Sequence, residues 1–153
     1  MARIMVVGIG NILLKDEGVG VHVVNELARM ELPPGVEVVD GGTHSYDLVD
    51  IFSQADHLII VDALEAGAEP GTIYRVPLEE MGIKPQEATS VHQLHFIEAI
   101  AMANMLGHHP QVVVFGIQPR EIGWGLELTP KVEARVPRVV ELIRQEIEKT
   151  ISQ

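Results

Sequence analysis

The fold is decided by residues 4–20, whose sequence is Ile4-Met5-Val6-Val7-Gly8-Ile9-Gly10-Asn11-Ile12-Leu13-Leu14-Lys15-Asp16-Glu17-Gly18-Val19-Gly20. The stretch opens as a short apolar run, breaks at glycine, crosses an acidic pair and enters an amphipathic segment. This pattern predicts a buried strand, a tight loop and the start of a helix. In an open parallel α/β sheet, such a loop lies at the carboxyl edge of the first strand, where ligands bind.

The rest of the chain alternates predicted strands and helices. Apolar runs predict strands at Ile4–Gly8, Val36–Val39, His57–Val61, Thr72–Val76 and Val112–Ile117. Helical spacing predicts helices at Gly18–Met30, Tyr46–Ser53, Ser90–Met105 and, after the cap Thr129-Pro130, a last helix that Pro137 should kink. The connection before Thr72 is too short for a helical crossover, so that strand is expected to be antiparallel. The order predicts one domain over residues 1–153, a three-layer α/β/α sandwich around a mostly parallel five-stranded sheet.

Composition limits the possible functions. The 153 residues are 46% hydrophobic and 22% charged, with a formal net charge of −11. An acidic surface repels phosphate backbones, so we do not expect a nucleic-acid partner. The absence of cysteine excludes disulfides, zinc ribbons and thiol nucleophiles. No basic and apolar leader opens the chain and no apolar run approaches the ~20 residues that span a bilayer, so we expect a cytoplasmic protein without membrane insertion.

Several side chains of metal-binding type follow the predicted strands. Asp16 and Glu17 follow the first strand, Asp40 the second and Asp62 the third, and His92 lies in the first turn of the third predicted helix. If these groups converge on the carboxyl edge, two carboxylates and an imidazole suit a divalent metal. The alternative is that they are loop residues and helix caps favoured by the helix dipole. For Asp62, the sequence favours neither interpretation over the other.

Other catalytic patterns are incomplete. The Gly-x-Gly after the first strand lacks the third glycine of a dinucleotide fingerprint, since that position is Leu13. No G-x-S-x-G is present, which disfavours a serine hydrolase. His92-x-x-His95 lacks the spacing and the glutamate of H-E-x-x-H, so His95 is interpreted as a packing or supporting residue and His44 as a reserve ligand. Catalysis that depends on carboxylates or on a metal ion therefore remains as the candidate chemistry.

At these residues the chain resembles the hydrogenase maturation endopeptidases, which trim the C-terminus of nickel–iron hydrogenase large subunits. The resemblance rests on motifs that keep the family's order and spacing over nearly the full length. They are Gly8-Ile9-Gly10-Asn11-Ile12-Leu13-Leu14-x-Asp16-Glu17-Gly18-x-Gly20, Asp40-Gly41-Gly42-Thr43, His57-Leu58-Ile59-Ile60-Val61-Asp62-Ala63, Ser90-x-His92-Gln93-Leu94 and Leu128-Thr129-Pro130-x-Val132-Glu133. Residues 77–88 and 118–127 match the family only loosely, and they are candidates for setting which hydrogenase is accepted.

The resemblance implies an α/β/α fold and an aspartic-type endopeptidase. It implies metal contact by Glu17, Asp62 and His92, and it assigns catalysis to Glu17, Asp62 and Asp40. The metal is the nickel carried by the substrate, a hydrogenase large-subunit precursor, and no cofactor is held permanently. A carboxylate-activated water and a metal acting as Lewis acid remain equally open as the hydrolytic agent.

Three alternatives remain beside this prediction. A metal-binding maturation chaperone would share the same half-site without cleaving. An unrelated metallohydrolase would hold its own zinc tightly. A nucleotide-binding α/β domain would be stabilised against heat by nucleotide.

Overall fold

The fold, taken from a computed structural model, is built on a five-stranded sheet. The structure describes residues 2–42, 45–80 and 91–153, without the side chains of 45–47 and 91–95. The strands are β1 (Ile4–Ile9), β2 (Val36–Gly42), β3 (His57–Ala63), β4 (Ile73–Pro77) and β5 (Gln111–Ile117). Their spatial order is β2-β1-β3-β5-β4. All neighbouring pairs are parallel except β4 with β5, which confirms the predicted antiparallel strand.

Helices cover both faces of the sheet. They are α1 (Val19–Leu27), α2 (Ser45–Ser53), α3 (Val91–Met105), α4 (Pro130–Glu133) and α5 (Val136–Ile151). One apolar core joins Val6 and Val61 to α1, α4 and α5, and a second joins Val7 and Ile60 to α2 and α3. Because successive strand residues face opposite sides, each central strand serves both cores. This confirms the three-layer α/β/α sandwich.

Several predicted boundaries differ from the observed ones. Helix α1 was predicted to reach Met30 but ends at Leu27, because Arg29 and Met30 donate to carbonyls three residues back and tighten the chain into a 3-10 turn. The last predicted helix is broken into α4 and α5, and Pro137 lies in the first turn of α5. A proline fits there because first-turn N–H groups have no partner within the helix.

One predicted turn and one predicted strand end are wrong. Asp40-Gly41-Gly42 was predicted as a sharp turn after the second strand, but these residues complete β2 and Gly10 donates to the carbonyl of Gly42 at 3.0 Å. Asp62 was predicted to follow the third strand, but it lies inside β3, paired with Gly116 of β5. Sheet pairing therefore extends into both acidic motifs and fixes their backbones.

Some predictions concern residues outside the described ranges and are not tested by the structure. His44, Ser90 at the start of the third predicted helix and most of the loosely matching segment 77–88 lie outside them, although residues 78–80 form a short 3-10 turn. None of the helices in the described segments has the length and apolar composition that crossing a bilayer requires.

Candidate active site

The candidate site lies at the carboxyl edge of the sheet, where the strand order changes direction. From β1 the chain passes to β2 on one side, and β3 then pairs with β1 on the other side. Such a switch point leaves a crevice outside the carboxyl ends of the two strands, which is the general ligand position in open α/β sheets. The 3-10 turn Lys15–Gly18 follows β1 and packs against β3 at this point.

The first turn of α1 is wedged against the ends of β1 and β3. A Cβ atom added to Gly20 would lie 2.1 Å from the carbonyl oxygen of Val61 and 2.6 Å from that of Ile9. Only glycine permits an approach this close. Because Glu17 precedes Gly20 by three residues and Asp62 follows Val61 directly, the wedge brings both acidic residues to the same edge.

Asp62 is the most deeply buried of the predicted catalytic groups. Its side chain is 2% exposed, and its Oδ1 accepts a hydrogen bond from the N–H of Ala63 at 2.8 Å. Strand alternation places it with Leu58 and Ile60 on the face that α2 and α3 cover. Glu17 is only half-buried, so the pair combines one enclosed carboxylate with one that reaches solvent.

Helix α3 begins near the same edge. Its 15 residues span about 22 Å, and it ends six residues before β5 starts at the amino edge. The first turn of α3, which contains His92, therefore lies toward the carboxyl edge, on the face where Asp62 lies. The side chains of His92 and His95 are outside the described residues, so the predicted contact of His92 with metal remains a prediction.

Asp40 is placed differently from the other two acids. It is exposed, and it lies level with Gly8 in the register of β1 and β2. Because Val36 and Val38 pack in the core shared with α1, alternation puts Asp40 on that face, opposite the face of Asp62. Asp40 thus flanks the same edge from the other side of the sheet.

Asp16 has a structural role that the sequence did not reveal. Its side chain is 0% exposed and accepts four hydrogen bonds. Oδ2 accepts from the N–H groups of Arg120 and Glu121 at 2.9 and 3.0 Å and from the hydroxyl of Thr129 at 2.7 Å. Oδ1 accepts from the N–H of Thr129 at 2.8 Å. Asp16 thereby ties the turn after β1 to the loop that leads into α4.

These hydrogen bonds keep Asp16 ionised. Burial acts to raise the pKa of its carboxyl group, but the Thr129 hydroxyl and the backbone N–H groups outweigh burial and hold the pKa below its usual value. Thr129 does occupy the predicted cap position of α4, yet its side chain makes no cap hydrogen bond, because its hydroxyl is committed to Asp16. The two neighbouring acids are therefore placed differently, since Asp16 is fully buried and held by the loop before α4, whereas Glu17 is half-buried at the edge.

A groove of about 880 Å³ lies elsewhere, between α1 and α5. Glu26, Glu133 and Glu141 are among its lining residues, and neither Glu17 nor Asp62 is. Among the residues whose side chains are described, no three His, Asp or Glu residues form a complete metal site. The edge with Glu17 and Asp62 remains the candidate site.

Known proteins share this architecture. The family model for hydrogenase maturation proteases matches residues 21–146. The hydrogenase expression/formation protein HupD of Bradyrhizobium diazoefficiens is 40% identical over 147 residues, which cover 94% of this chain and 77% of that protein. The hydrogenase 2 maturation protease of Escherichia coli K12 is 36% identical over 144 residues, covering 92% and 88%.

The solved structure of the hydrogenase maturating endopeptidase HybD from Escherichia coli superimposes with a TM-score of 0.89 at 34% identity, covering 97% of this chain and 93% of that one. The agreement thus extends over both sequence and three-dimensional structure. The chain belongs to the hydrogenase maturation protease family and is accordingly a hydrolase that acts on peptide bonds.

Proposed function

We propose that this protein removes the C-terminal extension from the nickel-loaded large-subunit precursor of a nickel–iron hydrogenase, and that it recognises the nickel in that precursor. Membership of the family supports cleavage of a hydrogenase subunit. The observation that carries the proposal is the packing of the Lys15–Gly18 turn against β3, which sets Glu17 at the carboxyl end of the strand that contains Asp62.

The proposed contact with nickel is a half-site. Two carboxylates, Glu17 and Asp62, and the imidazole of His92 are ligand types that suit a divalent ion. An ion that arrives with the precursor brings some of its own ligands, so the protease must leave coordination positions open. Three side chains from three separate segments meet that need. Nickel is therefore part of the substrate, and the protein holds no cofactor of its own.

Hydrolysis requires a water that attacks the scissile carbonyl carbon and a proton that reaches the departing amine. With the precursor held at the edge, a carboxylate takes the proton from the attacking water and returns it to the amine nitrogen as the C–N bond breaks. Glu17 and Asp62 are the proposed acids for this step. Asp40 lies at the same edge on the opposite face of the sheet. It is the third carboxylate proposed to take part in cleavage of this peptide bond.

The test uses a purified large-subunit precursor prepared with and without nickel. The wild-type protein should release the C-terminal peptide from the loaded form only, as measured by mass spectrometry. Glu17→Gln should lose this activity while keeping the wild-type circular dichroism spectrum, because a half-buried turn residue adds little to the core. Glu98→Gln is the matched control, since Glu98 lies exposed on α3, and it should cleave at the wild-type rate.

Two results would contradict the proposal. Equal cleavage of loaded and nickel-free precursor would remove nickel from recognition. Binding of the loaded precursor without release of any peptide would indicate a maturation chaperone instead. Metal analysis of the purified protein addresses the remaining alternative, because stoichiometric zinc would indicate a metallohydrolase with its own ion.

A further inference from the structure

Two loops at the carboxyl edge are joined into one surface. Gly125 donates to the carbonyl of Leu13 at 2.9 Å, and Lys15 donates to the carbonyl of Gly125 at 2.9 Å. Asp16 donates in the same way to Glu121 at 3.2 Å. These bonds connect the turn after β1 with the loop that follows β5, although more than 100 residues separate the paired positions.

The joined loops carry apolar side chains that face solvent. The most exposed of them is Trp124, with 81% of its surface accessible. We call this set the apolar rim, and its members are Ile12, Leu13, Ile122, Trp124 and Leu126. Single exposed apolar residues are common, but five on two bonded loops indicate a surface that meets another molecule.

The apolar rim is held in place before any partner arrives. Asp16 anchors the far loop with its four hydrogen bonds, and the side chain of Lys15 forms an ion pair with Glu121 at 2.9 Å. Lys15 itself adopts the left-handed backbone region, with φ at 49°, a conformation that the surrounding contacts must maintain. A surface fixed in this way loses little conformational entropy when it is covered.

The apolar rim is continuous with the candidate active site. Ile12 packs so closely on Gly18, the residue after Glu17, that a Cβ added there would lie 2.7 Å from the Cα of Ile12. Because Gly18 follows Glu17 directly, the rim begins beside the candidate catalytic residue and is available to a polypeptide bound there. A second copy of this chain is a poorer occupant, because each copy carries a net charge of −11 and the two would repel.

We propose that the apolar rim is the docking surface for the body of the hydrogenase large-subunit precursor, with Trp124 as its central anchor. The inference rests on the proposed function and adds to it a means of holding the substrate that does not depend on nickel. Aromatic side chains at the centre of an interface contribute most of the binding energy in protein complexes. Loss of the Trp124 ring should therefore weaken the binding of precursor by about 10- to 30-fold.

Affinity and cleavage are measured separately for each variant. Glu17→Gln should bind nickel-free precursor as wild type does, because the apolar rim is intact, yet release no peptide from the nickel-loaded precursor. Trp124→Ala should raise the KM for the precursor and leave kcat near the wild-type value, since the rim is proposed to hold the body of the precursor and not its scissile peptide. Met105→Ala is the matched control, because Met105 is 85% exposed at the end of α3, away from this edge.

The only tryptophan in the sequence provides a direct readout. Incorporation of 5-fluorotryptophan places one fluorine at position 124, and its ¹⁹F resonance should shift when unlabelled precursor is added. A shift without cleavage supports docking at the rim and overturns the proposed proteolysis. Cleavage with no shift and an unchanged KM for Trp124→Ala overturns the docking surface and leaves the protease intact.

Two further outcomes overturn the docking surface. One is the absence of both shift and cleavage with every loaded precursor tried, which overturns the proteolysis as well. The other is a resonance that changes with the concentration of the protein alone and follows dimer formation in analytical ultracentrifugation, which would assign the rim to a second copy.

Discussion

The amino and carboxyl edges of the sheet differ in how their charged groups are balanced. At the amino edge, the guanidinium of Arg3 donates to Glu37 at 2.7 Å, and the N–H of Arg3 donates to the Asp56 carboxylate at 2.7 Å. At the carboxyl edge, Glu17 and Asp62 lie together. Charges at the first edge pair across neighbouring strands, whereas the second edge brings two acidic groups beside a crevice and pairs Lys15 with Glu121 between its loops. The comparison separates charges that join neighbouring strands from charges that we propose to act on the substrate.

The largest expected effect is at the carboxyl edge. Asp62→Asn should slow release of the C-terminal peptide by at least about 100-fold, because general acid–base groups contribute at least that much to rate. The amide oxygen still accepts the hydrogen bond from Ala63, so the fold should persist. Single-turnover cleavage of loaded precursor measures the rate. The amino-edge control Asp56→Asn should cleave at a rate within about twofold of wild type. Equal losses of cleavage rate in both variants would contradict the proposed difference between the two edges.

Gly20→Ala should be strongly destabilising, although it adds only one methyl group. In an ordinary helix this substitution stabilises by about 1 kcal/mol, but here the new methyl group meets the Val61 carbonyl at 2.1 Å. We expect a loss of about 3 kcal/mol in the free energy of unfolding, measured by urea denaturation. Gly123→Ala is the control, because nothing lies within 4 Å of its added Cβ. Unchanged stability of Gly20→Ala would contradict the wedge that brings Glu17 to Asp62.

Asp16→Asn should lower the free energy of unfolding by about 2 kcal/mol at pH 7, because an amide cannot accept four hydrogen bonds. The folded pKa of Asp16 lies below its usual value, so its stabilisation is complete above the unfolded pKa of about 3.9 and is lost as the pH falls through the folded pKa. The difference between wild type and variant should therefore narrow below about pH 4.

Urea denaturation at pH 7, 5, 4 and 3 measures this difference. Glu31→Gln, an exposed change far from the loop contacts, should show no comparable trend. A difference between wild type and Asp16→Asn that stays constant down to pH 3 would mean that ionisation of Asp16 does not stabilise the loops.

The smallest effect is expected at the amino edge. Arg3→Gln removes the exposed ion pair with Glu37 and should lower the free energy of unfolding by less than about 1 kcal/mol. The rate of precursor cleavage should not change, since no candidate catalytic group lies at that edge in the described part of the chain. A clear loss of cleavage by this variant would show that the amino edge takes part in substrate binding.

The strands could be predicted from sequence because their signals are local. The apolar run before Asp62 is typical of a strand buried on both faces, and the short connection before β4 predicts its antiparallel pairing. The exact strand ends could not be predicted, because Asp62 continues β3 through its pairing with Gly116, a residue 54 positions later. A polar residue that follows an apolar run indicates the end of a strand in the sequence. Only the position of the partner strand shows that the pairing continues through it.

The different placement of Asp16 and Glu17 could not be predicted from the sequence for the same reason. Both acids follow β1 and look equivalent in the sequence, but the hydroxyl that selects Asp16 belongs to Thr129, 113 residues away. The pairing of Gly125, next to Trp124, with Leu13 likewise depends on tertiary structure, because 112 positions separate the two residues. Local patterns predicted which segments form strands and helices, but they could not predict which residues of distant segments contact one another.

The anchoring by Asp16 has a consequence for how this family can diversify. Three of the four donors that it holds are main-chain N–H groups, of Arg120, Glu121 and Thr129. Main-chain donors are supplied by every amino acid except proline, so the anchor places few demands on which side chains occupy positions 120 and 121. Mutations can therefore alter the neighbouring surface over evolutionary time while the loop keeps its attachment, and new substrate preferences can arise without rebuilding the scaffold.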